Sequence, residues 1–210
     1  MSEQQGPSVG WRFGLQLFNN NFISYRKKVW PWLAILLVLL ATTLQLRHQG
    51  RFWLCPCGQF YFWWSNIWDA GSSQHLFDPY SFTHLLHGIL FFWLLVWSLP
   101  QLSPDWRLSL AIFIEALWEM FENSELIIRR YRETTATVGY QGDAIVNSLS
   151  DILIIGMGFY LASYLGLRRS MLLFVVTEIL LILTSRDSLI LAMVMFVYPT
   201  DAIKAWQMAY

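Results

Sequence analysis

Apolar runs closed by turn-forming or polar residues set the rhythm of this chain. The first run covers residues 29–45, with Trp30 and Trp32 placed as a headgroup-level aromatic belt. The second covers residues 81–99 and stops at Pro100, and the third covers 107–123. The fourth covers 143–165, where Gly156 and Gly158 allow close helix approach. A turn over 166–170 carries Arg168 and Arg169, and a fifth run follows over 171–185. A last run, 189–198, is too short for an ordinary span. It reads as a re-entrant segment or as the start of a sixth, tilted helix continuing toward residue 210. The pattern predicts an all-α integral membrane bundle of five to six transmembrane helices with an interfacial loop between the first two.

The segments between the runs divide the chain further. Residues 1–28 read as an amino-terminal cytoplasmic or interfacial arm, with Trp11, Phe13, Leu15, Leu17 and Phe18 giving it an amphipathic face. They lack the apolar core and small-residue cleavage site of a signal peptide. Residues 29–210 form a single transmembrane domain. Within the long connection 46–80, residues 52–68 are expected as a helix lying in the interface. Cys55 and Cys57 admit a disulfide or redox pair, but the reading adopted is two small apolar residues in an interfacial turn made by Pro56 and Gly58. Residues 124–142 read as a charged connection.

Composition agrees with a membrane class. The chain of 210 residues is 56% hydrophobic and 13% charged, against roughly 25% charge in an average soluble domain. A net charge of zero gives no reason to expect nucleic acid as a partner. Orientation follows basic residues. With the amino terminus cytoplasmic, Arg12, Arg26, Lys27, Lys28, Arg107, Arg168 and Arg169 lie inside, and Arg47, Arg51, Arg129, Arg130, Arg132 and Arg186 outside. The balance is close, and the cluster at 26–28 beside the first run decides for a cytoplasmic amino terminus. The outer arginines then need a reason to be there, and binding an anionic group is one.

Candidate chemistry gathers at one face. His84 and His87 open the second run, Glu115, Glu119 and Glu122 lie along the third at i, i+4 and i+7, and Asp143, Asn147 and Asp151 open the fourth at i, i+4 and i+8. Runs of alternating direction put these ends on the same side. Carboxylates crowded in low dielectric need cations or protons to share their charge. One reading makes His84, His87, Glu119 and Glu122 ligands of a divalent metal, zinc or similar, with an open position for activated water. The other makes the groups a hydrogen-bonded network that fixes helix register. Arg129, Arg130 and Arg132 suit a phosphate or diphosphate, or pair locally with Glu125 and Glu133. Asp143, in Tyr140-Gln-Gly-Asp, reads as the cap of the fourth run. Glu178 and Arg186-Asp187 stand as isolated charges, and His75 and His48 carry no readable pattern.

Ser-Gln-His75, Asp78-Pro-Tyr-Ser-Phe-Thr-His84-Leu-Leu-His-Gly88, Trp118-Glu-Met-Phe-Glu-Asn123, Ile128-Arg-Arg-Tyr-Arg132 and Gly142-Asp-Ala-Ile-Val-Asn-Ser-Leu-Ser-Asp151 resemble a family of uncharacterised bacterial multi-pass inner-membrane proteins, known as a domain of unknown function. Ser185-Arg-Asp-Ser-Leu189 and Ala205-Trp-Gln207 fit it too, so the likeness covers about residues 50–207. A wider likeness is to VanZ-like membrane proteins, through Asp78 and His84, then Glu119, then Asp143 and Asn147. Glu115, Glu122, Asp151 and His87 depart from that order. This likeness implies a role at the bacterial envelope near lipid-linked or anionic lipid substrates.

The expectation is a metal-assisted hydrolase or transferase in the inner membrane, contacting membrane lipids. Glu119, Glu122, Asp143, Asp151 and His84 would carry the chemistry, and Arg129, Arg130, Arg132 and Asn147 would bind substrate. The alternative is a non-catalytic accessory subunit or assembly factor, with other membrane protein subunits as partners.

Overall fold

The computed structural model describes residues 29–135 and 139–209. The arm expected over residues 1–28 lies outside the described residues. Among those described, all regular structure beyond one isolated bridge is helical. The helices are α1 (Val29–His48), α2 (Pro79–Ser98), α3 (Pro104–Glu122), α4 (Glu125–Thr134), α5 (Ile145–Ser185), α6 (Leu189–Val197) and α7 (Asp201–Met208).

Local chemistry sets the ends. Asp78 caps α2 by accepting from the Tyr80 N–H at 2.8 Å, while Ser81 Oγ accepts from the Asp78 N–H at 3.3 Å. Pro79 then fills the first turn, where a missing N–H costs nothing. Ser103 and Pro104 start α3 in the same way. The turn expected at 166–170 is instead a single break inside α5, at Gly166 with φ 74°. Glycine takes that backbone at no steric cost, so helix resumes at once on either side of it. The connection 124–142 holds α4, which buries Ile127 and Ile128.

The core is built from one stripe on each of three helices: Leu86, Ile89 and Phe92 of α2, Leu108 and Ile112 of α3, and Ile152, Ile155 and Phe159 of α5. The most extensive packing joins α2 to α5. Two glycines make it possible. A Cβ on Gly88 would meet the Ile155 carbonyl oxygen, and a Cβ on Gly158 the Leu85 carbonyl oxygen. Backbone therefore touches backbone at this crossing. Outside this core, Leu36, Leu37, Leu40 and Leu44 of α1 and Leu172, Val175, Ile179 and Leu183 of α5 are exposed. The molecule is apolar outward and keeps many polar side chains inside.

Two expectations need correction, and the count of spans is met only in part. By length and composition α1 and α2 can each cross a membrane, and α5 with α6, bent by 72° at their junction, makes a third if the pair is one span. Of the five to six spans expected, two to three are met by length and composition. The third run falls out because α3 carries Asp105, Arg107, Glu115, Glu119 and Glu122. Residues 52–68 form no helix. Pro56 and the run Phe60-Tyr-Phe-Trp-Trp64 favour extended chain, and Trp64 N–H donates to Phe77 O at 2.9 Å beside the bridge Trp63–Phe77. Cys55 and Cys57 are joined in a disulfide across a turn closed by Gly58 N–H to Cys55 O at 3.2 Å. The turn is the one Pro56 and Gly58 predict, and it brings the two sulfurs together.

The α2–α5 crossing yields a direct test. Gly88→Ala and Gly158→Ala each place a methyl against backbone that cannot move away alone, so each should lose roughly 1–3 kcal/mol. Gly156→Ala, whose methyl meets Leu108 Cδ1 at 4.0 Å, should be neutral. Thermal unfolding midpoints in mild detergent check the contrast.

Candidate functional site

The amino-terminal turns of α2, the last turns of α3 and the first turns of α5 converge on His84. Its Nδ1 is hydrogen-bonded to Glu115 Oε1 and lies 3.6 Å from Glu119 Oε1. Its Nε2 lies 3.8 Å from Asp151 Oδ2. One turn on, His87 Nδ1 lies 3.3 Å from Glu115 Oε2. Glu115 thus serves both imidazoles, and it is fully buried. Asp151 accepts from Ser81 Oγ at 2.9 Å. Glu119 is different: it is 1% exposed, and neither carboxylate oxygen has a hydrogen-bond partner.

A cavity of about 80 Å³ opens beside this cluster, room for a few water-sized groups. His84, His87, Glu122, Asp143, Asn147 and Asp151 line its polar side, and Trp118, Leu189 and Met193 its apolar side. Asn147 is buried, and its amide nitrogen has no partner. Donor atoms of His84, Glu119 and Glu122 lie within 4.8 Å of one another, as do those of His84, His87 and Glu115. Imidazole with carboxylate suits zinc, iron or manganese.

The carboxylates around the rim are each held by a neutral donor. Asp143 accepts from Asn123 Nδ2 and from Tyr140 OH, both at 2.7 Å. Asp187 accepts from Tyr80 OH at 3.0 Å, and Glu122 is bonded to Tyr131. Asp143 is therefore not the cap of α5, whose N-cap is Ala144. The N–H groups of Ala144, Ile145 and Val146 instead reach the carbonyls of Ser73, Phe52 and Trp53 at 2.8–3.2 Å. With those donors satisfied by the loop, the Asp143 side chain is free to turn into the cavity. Burial pushes the Asp143 and Asp78 carboxyls above the usual range, and the charge of Asp143 adds to the effect on Asp78. Burial, then the charge of Asp143, pushes the Tyr140 phenol up.

Three anticipated substrate-binding residues stand apart from the cavity. Arg130 donates twice to the Phe196 carbonyl, at 3.1 and 2.9 Å. Arg132 Nε donates to the Tyr140 carbonyl, and Arg129 is exposed. None of the three lines the cavity. Glu178, buried mid-helix, accepts from the Leu189 and Ile190 N–H groups at 2.9 and 3.1 Å, and so caps α6. Asn123, Tyr80, Tyr131 and Tyr140 were missed in the sequence. Asn123 alone carried a signal, four residues beyond Glu119 on the same stripe.

Fold and site together define an all-helical protein whose apolar exterior encloses a His/Glu/Asp cavity. A family described as a protein of unknown function (DUF2585) matches residues 46–209, and the chain belongs to it. Among its relatives is a UPF0314 protein of Paracoccus denitrificans, 37% identical over 187 residues, 89% of this chain and 97% of that one. Another, from Sphingopyxis alaskensis, is 40% identical over 178 residues, 85% of this chain and 94% of that one. A third, from Novosphingobium aromaticivorans, is 39% identical over 180 residues, 83% of this chain and 91% of that one. No solved structure matches.

Asp78 gives a pH test. Its folded carboxyl titrates above the unfolded one, so the folded state holds the proton more tightly. That contribution is fully present below the unfolded value of about 3.9 and is lost as pH rises through the folded value. Asp78→Asn keeps a good cap and removes the titration. The variant should gain stability relative to the parent as pH rises from acid toward neutral, whereas Asp78→Ala, which removes the titration and the cap together, should lie roughly 1 kcal/mol below Asp78→Asn at every pH. Unfolding midpoints of the three proteins across that range check both signs.

Proposed function

We propose that this protein is a multi-pass bacterial inner-membrane enzyme, a metal-assisted hydrolase or transferase acting on lipid-linked envelope substrates at the extracytoplasmic interface. One observation carries the reading. Glu119 is a buried carboxylate with no donor on either oxygen, placed with His84 and Glu122 as a compact ligand set. A charge buried that way is costly unless a cation or proton joins it.

In this reading His84, Glu119 and Glu122 would hold a divalent cation, and His87 would support the set through Glu115. The cation would supply Lewis acidity and an activated water. Asp151 and Asp143, both lining the cavity, would serve as acid or base. The Asn147 amide, unpartnered, is a donor for a substrate oxygen. The cavity is too small to hold a whole headgroup, so the substrate would present only its reacting group, its apolar part lying along Trp118, Leu189 and Met193.

The membrane topology belongs to the same proposal: α1, α2, α3 and both parts of α5 cross the bilayer, and α6 dips in and returns under the Glu178 cap. The inward carboxylates of α3 face protein rather than lipid, which makes a charged span tolerable. The disulfide in the segment after α1 favours an extracytoplasmic place for that segment, and hence a cytoplasmic amino terminus. The VanZ-like order of Asp78, His84, Glu119, Asp143 and Asn147 favours envelope lipids as the setting.

Elemental analysis of protein purified without chelator should find a near-stoichiometric divalent metal, lost in the double variant Glu119→Gln, Glu122→Gln. In a strain lacking the gene, Glu119→Gln, Asp143→Asn and His84→Ala should each fail to restore the parental phenotype. Parental behaviour of all three, with no metal in the parent protein, would sink the proposal.

A further inference from the structure

A second cavity, of about 290 Å³, lies on the other side of Tyr140 and Asp143. The Cys55–Cys57 disulfide lines it, together with Arg51 and Gln74. A bond spanning one intervening residue closes a very short loop, so it restrains the unfolded chain far less than a long-range bridge would. A structural role is thus a poor account of it. Its surroundings are those of a reactive pair.

The two sulfurs differ. Cys57 is exposed and Cys55 is buried. The Cys57 N–H donates to Cys55 Sγ at 3.2 Å, where it would stabilise negative charge on that atom. A ring nitrogen of His75 lies within 4.8 Å of both sulfurs. The ring is fixed there by the Tyr61 N–H, 3.4 Å from Nδ1, and by contact with Trp64 at 4.8 Å between ring centroids. Burial holds His75 below the usual histidine range, so near neutral pH it is an uncharged imidazole able to give and take a proton.

We infer that Cys55–Cys57 is a redox-active disulfide that accepts two electrons from a protein dithiol, with His75 as proton carrier to the sulfur that leaves. A thiolate of the dithiol attacks Cys57 Sγ, the accessible atom. The Cys55–Cys57 bond breaks, its electron pair goes to Cys55 Sγ, and that thiolate takes from His75 the proton that the imidazole accepted when the attacking thiol ionised. The second thiol of the dithiol, deprotonated, then attacks its own sulfur in the mixed disulfide. Cys57 is released and protonated. The donor has lost two electrons and two protons and become a disulfide, and the cysteine pair has gained them. The asymmetry of exposure and of N–H donation fixes which sulfur is attacked and which leaves. The inference stands apart from the metal reading, since it uses no residue of the His84 cluster.

The test uses the full chain in mild detergent, with dithiothreitol as dithiol probe and glutathione disulfide as a probe of single thiols. Dithiothreitol should reduce the pair in the folded protein, read as two alkylated cysteines by mass spectrometry, and roughly tenfold more slowly in His75→Phe. In Cys55→Ser the remaining Cys57 should take up glutathione roughly tenfold faster than Cys55 does in Cys57→Ser. Reduction only after denaturation would overturn the inference, and so would equal uptake by the two single-cysteine variants. Both readouts survive if His75→Phe does not fold.

Discussion

Acid without base governs the interior of this molecule. Glu115, Glu119 and Asp151 surround His84, Glu122, Asp143 and Asp187 stand in the wall of the adjoining cavity, and among the described residues no lysine or arginine lines it. Two like charges 4 Å apart repel by about 4 kcal/mol even at an effective dielectric of 20, whereas a neutral hydrogen bond returns about 1 kcal/mol. Hydroxyl and amide donors therefore cannot keep such a set together in its fully ionised form. Ser81, Tyr80, Asn123, Tyr131 and Tyr140 each hold one carboxylate, and the imidazoles hold Glu115. Glu119 is left over. Its nearest cationic group is the His84 imidazole, 3.6 Å away and already bonded to Glu115.

The rest of the fold keeps this set from relaxing apart. Backbone contact at Gly88 and Gly158 fixes the distance between α2 and α5, and with it the distance between His84 and Asp151. The loop between α1 and α2 gives its Phe52 and Trp53 carbonyls to the first N–H groups of α5. A buried helix end must be satisfied from somewhere, and because backbone does that task, Asp143 is released to the cavity wall. Asn123 then grips Asp143 from both sides, with its amide on the carboxylate and its carbonyl on the backbone N–H at 2.7 Å.

What the sequence revealed and what it hid have a common cause. Helical period is a local property, so the stripe Glu115, Glu119, Glu122 was legible, as were the turn at Pro56 and Gly58 and the close-packing glycine at 158. Contacts between segments distant in sequence were not. Tyr80 meets Asp187 across 107 positions, and His75 meets Cys55 and Cys57 only because the aromatic loop folds extended rather than helical. α4 was hidden by its charge: the period of Ile127 and Ile128 is short, and Arg129, Arg130 and Arg132 dominate the segment. Glu178 looked stranded in an apolar span because its partners, two backbone N–H groups, have no signature in sequence.

On the side of the molecule that carries the site, a cationic residue invites the idea of an anionic ligand. Arg51 donates to the Gln141 carbonyl, Arg130 to Phe196, Arg132 to Tyr140 and Arg186 to Trp206. Each of these carbonyls lies in a loop or near a helix end, where no ladder partner exists. A guanidinium presents several donors in a fixed fork, so it satisfies such oxygens while keeping its charge near solvent or headgroups. These four arginines act first as clamps on loop carbonyls and on the last turns of α6 and α7. Their backbone partners therefore account for these cations without an anionic ligand.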